Sequence, residues 1–482
     1  MKICFVTPEF VTESKDFDGG LSNYLHRVSL GLLELGHQPV VLVTSDTTEV
    51  FSHCGIEVHR VNVAHQFQSQ IIHRLYQSYM LNQYLAQYAR ENAVDVVQYA
   101  SFLGVGYYRL PDLPSVVRIS SYEPLWMTYY GHDIGQFKDE IALEEAAIRR
   151  ADGVFGPSRL LAQEIEKNYG RSVQVIESPF TDDAPELDYA YLETFQLDKY
   201  LLFFGTLGLL KGVKTIAEAL PAIFLRYTDL KFVFIGKDVG FDEMKMIDYV
   251  YAQAGSNRDR IIYIDKLEHK RLYPFVEKAL AVVLPSRIDN FPNACIESMA
   301  HGKIVIGTRN TGFEQLIQDG VDGFLCERDN PESLIQSIDQ VINLDSHKKA
   351  AIEKKARDRI ELLQPRYVLN DHIDFYKKII TGFMQDPAKH LNKDDDFVTS
   401  ILWEKLRDVD TDRLWTITQY KQLQSHFQQE MDAVRSSRIY RVSQKISQIF
   451  AYLFPVNSKR RAFWSILYRA MRNLFQNILA GW

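Results

Sequence analysis

The chain has 482 residues, 46% of them hydrophobic and 24% charged, which is enough for two or three domains that each bury a core. A net charge of −7 argues against nucleic acid as a partner, because duplex binders carry a basic footprint. The four cysteines (Cys4, Cys54, Cys295, Cys326) lack paired or metal-ligand spacing and read as small apolar residues of a reducing compartment, and no window approaches the ~18 apolar residues of a membrane span, so a cytoplasmic location is expected.

In the first half, Ile3–Val6 is a buried-strand run, too short for a signal peptide. A polar loop ending in Asp18-Gly19-Gly20 leads into an amphipathic helix with Leu21, Tyr24, Leu25, Val28 and Leu32 at helical spacing, stopped by Gly36. Val40–Val43 is the next strand, completing a β-α-β unit. Gly19-Gly20 before a helix allows a diphosphate to approach the backbone closely, although a plain tight turn has the same pattern. The spacing fails the G-x-G-x-x-G dinucleotide fingerprint, which argues against a hydride-transfer enzyme. Further strands are expected at Glu57–Val61, Val94–Val97, Ser115–Ile119, Gly153–Phe155 and Val173–Ile176, with helices between them at Ser69–Glu91 and Lys138–Arg150. This alternation predicts a doubly wound parallel sheet whose ligands bind beyond the carboxyl ends of the strands. Arg118 falls at such an end, open to a phosphate or acceptor role or to an ordinary structural ion pair.

Ser178–Asp198, Pro- and acid-bearing with little periodicity, reads as a linker. Tyr200–Gly205 restarts the strand pattern and leads through Thr206 and Lys211-Gly212 into a helix, where a lysine beside an anion-favouring backbone is a reasonable diphosphate ligand or simply an exposed cation. Phe232–Gly236, Ile261–Ile264, Leu280–Leu284, Ile304–Gly307 and Gly323–Cys326 complete a second parallel set. After Leu284 a polar loop carries Asp289, and a short helix follows with Asn290 as its expected cap, Pro292 in its first turn and Gly302 at its end. Amides at Phe291 and Asn293 would face an anion or sugar hydroxyls. Asp289 and Glu297, eight residues apart, can accept hydrogen bonds from vicinal hydroxyls, or Glu297 is only a solvated helix residue.

From Gln385 onward the pattern changes. No acidic residue follows Asp432, whereas Arg435, Arg438, Arg441, Lys445, Lys459, Arg460, Arg461, Arg469 and Arg472 are all basic. Apolar stripes at helical spacing flank Pro455. Such helices suit an anionic membrane surface, or else dock on the acidic body or a partner chain.

Asp289-x7-Glu297 resembles the Glu-x7-Glu signature of the retaining glycosyltransferases of GT-B fold known as family GT4, or glycosyl transferases group 1, with Asp in the first position. The resemblance covers about residues 1–384 and is concentrated in Gly205–Gly212 and Pro285–Gly302. It implies two Rossmann-like parallel-sheet domains facing a cleft: 1–180 on the acceptor side and 200–365 binding nucleotide-sugar. A helix at 366–384 would cross back to the first domain, and 385–482 would be a helical extension, basic and amphipathic from 433.

By this resemblance Asp289 contacts the donor sugar, Glu297 the ribose hydroxyls, and the Phe291, Pro292 and Asn293 loop the sugar. Lys211 meets the diphosphate, and Gly19-Gly20 lies against the donor. Relatives place an Arg near Thr206 and a His near Ser120, and this chain has neither. The implied activity is transfer of a sugar from a nucleotide-diphosphate sugar to a hydroxyl of a glycan or lipid-linked acceptor with retention, in cell-surface polysaccharide or glycolipid assembly. The protein would sit peripherally at the inner face of the cell membrane. No cofactor or metal is expected, since no Asp-x-Asp cluster stands in the cleft loops. A nucleotide-sugar 2-epimerase and a non-catalytic, membrane-associated sugar-nucleotide-binding protein are the alternatives.

Overall fold

The computed structural model describes residues 1–10, 19–64, 69–182, 186–241 and 243–385, with isolated positions 422, 425 and 429. The helical extension expected beyond Gln385, including the basic amphipathic stretch 433–482, lies outside the described residues.

Strands and helices alternate along the chain. The first half comprises β1 (Lys2–Thr7), α1 (Gly19–Glu34), β2 (Gln38–Ser45), β3 (Glu49–His53), β4 (Ile56–Asn62), α2 (Gln70–Glu91), β5 (Val96–Ala100), β6 (Ser115–Arg118), α3 (Glu123–Tyr130), α4 (Lys138–Arg150), β7 (Gly153–Gly156), α5 (Arg159–Tyr169) and β8 (Gln174–Val175). After a short α6 (Tyr189–Glu193), the second half comprises β9 (Tyr200–Phe204), α7 (Val213–Arg226), β10 (Lys231–Ile235), α8 (Met246–Ala254), β11 (Ile261–Ile264), α9 (His269–Lys278), β12 (Val282–Val283), α10 (Asn293–Ala300), β13 (Val305–Thr308), α11 (Phe313–Leu316), β14 (Phe324–Cys326), α12 (Pro331–Ile342), α13 (Ser346–Glu361) and α14 (Pro365–Gln385).

Two sheets result. The first is ordered β3-β4-β2-β1-β5-β6-β7-β8 and the second β11-β10-β9-β12-β13-β14. Every pairing is parallel except β3 with β4. Ile3, Cys4, Phe5 and Val6 of β1 and Leu201, Leu202 and Phe203 of β9 are at most 1% exposed, because helices cover both faces of a parallel sheet. Both sheets belong to one compact unit, Met1–Lys393.

The chain differs from the sequence reading in several places. The antiparallel edge strand β3 was not expected; it is closed onto β4 by the two-residue turn Cys54-Gly55, whose φ angles of 50° and 81° suit a hairpin. The stretch read as a linker contains α6, capped by Asp188, whose side chain accepts from the Tyr191 amide. The strand expected at Leu280–Leu284 is regular only over Val282–Val283, although the Leu280 and Leu284 amides still donate to the Tyr200 and Ile306 carbonyls of the neighbouring strands.

Helix α14 returns across the first sheet. The Tyr24 hydroxyl of α1 meets His372 Nε2 at 3.0 Å, the Tyr376 hydroxyl donates to Gln98 of β5, and Phe375 packs on Phe155 of β7 with ring centroids 5.3 Å apart. Among the described residues, no helix is long and apolar enough to cross a membrane.

Candidate active site

In a doubly wound sheet the crevice opens where the strand order reverses. In the second sheet the reversal lies between β9 and β12, and the loops leaving these two strands are Gly205–Gly212 and Pro285–Pro292. They interlock. Gly212 has φ +73°, and a Cβ on it would stand 1.8 Å from the Pro285 carbonyl oxygen, so only glycine lets the loops approach. The Arg287 amide donates to the Leu210 carbonyl at 2.8 Å. A third loop locks in from below: the Gly312 amide donates to the Asp289 carbonyl at 2.7 Å.

This convergence brings together two residues that lie 78 positions apart in sequence. Lys211 Nζ donates to Asp289 Oδ2 at 2.7 Å; the lysine side chain is 39% exposed and the aspartate 12%. The cation expected to meet a diphosphate and the carboxylate expected to meet a sugar thus neutralise each other at the crevice.

Helix α10 begins just beyond Asp289. Asn290 is not its cap, contrary to the sequence expectation: Pro292 occupies that position, and no side chain accepts from the first amides. Asn290 is instead buried, with Nδ2 donating to the Ser120 carbonyl of the first domain at 3.3 Å. Its buried Oδ1 and the buried Ser120 Oγ have no hydrogen-bond partner among the described residues. Buried polar atoms of this kind mark a seam that a ligand or ordered water completes.

Phe291 and Pro292 are buried, whereas Asn293 is exposed. Gly20, at the start of α1, faces this point: a Cβ on it would lie 3.8 Å from Asn293 Nδ2. Gly19 beside it has φ +90°. The starts of α1 and α10 therefore face each other, and each concentrates partial positive charge there. Glu297, one turn into α10, is only 9% exposed, so it is not the solvated helix residue that its sequence position also allowed. Gly302 follows the helix with φ +67°, as a terminating glycine does.

Two further candidates fare differently. Thr206 lies exposed immediately after β9, beside the crevice. Arg118 does not line an open pocket. It is 4% exposed, its guanidinium sits 3.5 Å from the centre of the Tyr24 ring, and it donates to Ser178 Oγ at 3.0 Å. Burial lowers its pKa and raises that of the Tyr24 phenol to about 12. The sequence left Arg118 open to a phosphate or acceptor contact or to a structural ion pair; among the described residues it stacks on Tyr24 and bonds to Ser178.

The sequence reading missed the wall opposite. Helix α3 presents Tyr129, whose carbonyl accepts from Arg287 Nη1 at 3.1 Å and whose ring lies 4.5 Å from the Arg328 guanidinium. The Arg328 guanidinium also donates to the Tyr129 hydroxyl. On the other side Gln315 Nε2 donates to the Pro157 carbonyl and to Glu177 Oε1, both at 2.8 Å, and Arg359 donates to the same Glu177 oxygen. These bonds tie the two sheets' loops together around the crevice. Pro124 at the start of α3 and Gly131, with φ +80°, at its end are the signals that would have located the helix.

A crevice with Lys211, two helix starts and two sheltered carboxylates can hold a polyanion beside a polyhydroxylated group. A family profile described as glycosyl transferases group 1 matches residues 192–359, and one described as glycosyltransferase family 4 matches residues 18–181. An uncharacterized glycosyltransferase of Methanocaldococcus jannaschii is 22% identical over 407 residues, covering 78% of this chain and 98% of the relative. Among solved structures, sucrose-phosphate synthase from Thermosynechococcus elongatus superposes with TM-score 0.65 at 15% identity, over 79% of this chain and 99% of that one. Anabaena HepE, solved with UDP and glucose, gives 0.59 at 16% identity, over 78% and 100%.

Proposed function

The chain belongs to the group 1 glycosyltransferases of family GT4 type, built on the GT-B fold, and on that footing we propose that it moves a sugar from a nucleotide-diphosphate sugar to a hydroxyl acceptor with retention of configuration. The observation that carries this reading is the Lys211–Asp289 pair between the two reversal-point loops, under the start of α10. A diphosphate brings more negative charge to Lys211 than one carboxylate does, so donor binding frees Asp289 to accept hydrogen bonds from the sugar. Glu297 holds the ribose hydroxyls. Lys211 and the opposed helix starts stabilise the diphosphate as it leaves, which is the electrostatic part of the rate enhancement. The anomeric carbon–phosphate oxygen bond breaks, the acceptor oxygen bonds to the same face, and its proton passes to the departing phosphate oxygen. Binding of UDP and glucose by the structurally similar HepE supports a nucleotide-sugar donor.

The acceptor belongs to cell-surface polysaccharide or glycolipid assembly, and the basic stretch 433–482 holds the enzyme at the inner face of the membrane. Thermal melting with UDP, GDP, ADP and their sugars tests the reading. A ligand at about 100 times its dissociation constant stabilises by about 2.7 kcal/mol, and Glu297→Ala should shrink the shift of one base series. No shift with any nucleotide would overturn the reading, and donor epimerised at C2 without glycoside would replace it with an epimerase.

A further inference from the structure

Away from the crevice, the turn joining β3 to β4 lies against the middle of α1. His26 of α1, His53 at the end of β3 and Cys54 in the turn each direct one potential ligand atom into a common space, and these three atoms lie within 4.8 Å of one another. His53 Nε2 and Cys54 Sγ are 3.9 Å apart. The two imidazole centroids are 5.3 Å apart, and Phe10 packs edge-on against both rings at 6.2 and 6.3 Å.

Consecutive residues of a strand point to opposite faces. His53 and Cys54 converge only because Cys54 takes φ 50°, a left-handed conformation. Two-residue hairpin turns favour Asn, Asp or Gly at that position. Turn chemistry therefore does not account for the thiol, whereas a ligand set does.

We propose that His26, His53 and Cys54 bind a single Zn²⁺, with water in the fourth position. Imidazole and thiolate together select a borderline-soft transition ion over Mg²⁺ or Ca²⁺, which require oxygen ligands. Zinc takes nitrogen at about 2.0–2.1 Å and sulfur at about 2.3 Å, so its ligands stand roughly 3.5 Å apart in a tetrahedron. The observed spacing closes to this by imidazole rotation and a thiol rotamer change. Binding deprotonates the Cys54 thiol and releases one proton. The bound ion clamps the hairpin turn to α1, the helix whose first residues face α10. This site is independent of the donor site and of the proposed transfer reaction.

The metal-free, reduced full-length chain should be titrated with Co²⁺ and then with Zn²⁺. Cys4, Cys295 and Cys326 are buried, and Cys54 is the one exposed cysteine of the four, so a sulfur-to-cobalt charge-transfer band reports on Cys54. One equivalent of Co²⁺ is expected to produce that band, and Zn²⁺ to displace it. Cys54→Ser should abolish the band. His26→Gln and His53→Gln should each weaken binding at least tenfold, with metal-free melting temperatures unchanged to show that the variants fold. Absence of the band in the wild type, or a band unaffected in both histidine variants, would refute the site.

Discussion

Lys211 and Asp289 hold each other at 2.7 Å across the two loops of the crevice. With the lysine 39% exposed, their mutual attraction adds at most about 1 kcal/mol to stability. Lys211→Ala should therefore leave the melting temperature nearly unchanged while lowering kcat by about 10²–10³-fold, the cost typical of removing one group that stabilises developing charge. Equal losses in stability and rate would instead mark Lys211 as structural. Asp289→Asn should raise the KM for the sugar nucleotide while leaving inhibition by the free nucleoside diphosphate intact. Parallel loss of both would contradict a sugar-facing role.

His372 provides a pH test at the same scale. Burial lowers its pKa from 6.5 to about 4, with the Arg118 charge acting in the same direction; its Nδ1 meets the Val368 carbonyl at 3.0 Å and its Nε2 the Tyr24 hydroxyl. Between those pH values the unfolded chain takes up a proton that the folded one refuses. The stabilisation is thus full above pH 6.5 and is lost as pH falls to about 4, an amount on the order of 3 kcal/mol. Urea melts across that window should show a shallower decline for His372→Gln than for the wild type; equal slopes would exclude this histidine as a source.

Among the elements, α1 and α14 pack closely. A Cβ on Gly31 would meet Leu369 Cδ1 at 2.2 Å. Gly31→Ala should force the helices apart at a cost of about 1–3 kcal/mol, as overpacking does, measurable by denaturant melting. An unchanged midpoint would show that Leu369 moves aside freely. The family resemblance implied that a helix at 366–384 crosses back to the first domain, but it did not name the residues met there. Tyr24, Gln98 and Phe155 come from three separate elements of the first sheet, and no local pattern names a contact between them. The β3–β4 hairpin escaped notice because Cys54 is not a usual turn residue. Asn290 misled as a cap because its side chain found a carbonyl across the seam.

For the whole molecule, the loops leaving β9 and β12 meet loops of the first sheet around one crevice. The basic stretch 433–482 is the remaining large feature of the chain. Each cation close to an anionic surface contributes about 1 kcal/mol. Deleting 433–482 should abolish co-sedimentation with anionic vesicles while leaving transfer to a soluble acceptor intact. Unchanged sedimentation would remove the membrane role proposed for this stretch.

Strand–helix alternation and apolar runs too short for helices sufficed, from the sequence alone, to predict two parallel α/β sheets, while Asp289-x7-Glu297 carried only a resemblance to the glycosyltransferase family that the family profiles then matched. Those are local, periodic signals, and burial on both faces of a sheet imposes them residue by residue. Lys211 and Glu297 could be nominated from their place after a strand or in a helix, and Thr206 only by the resemblance, but spacing could not tell a ligand from a solvated side chain. Only the tertiary structure turned Arg118 under the Tyr24 ring, brought Lys211 onto Asp289 and set Tyr129 among Arg287 and Arg328. Each of these depends on loops meeting from distant strands, through contacts such as Gly212 against Pro285. Their geometry is decided by how close two backbones can approach, which has no period along the chain.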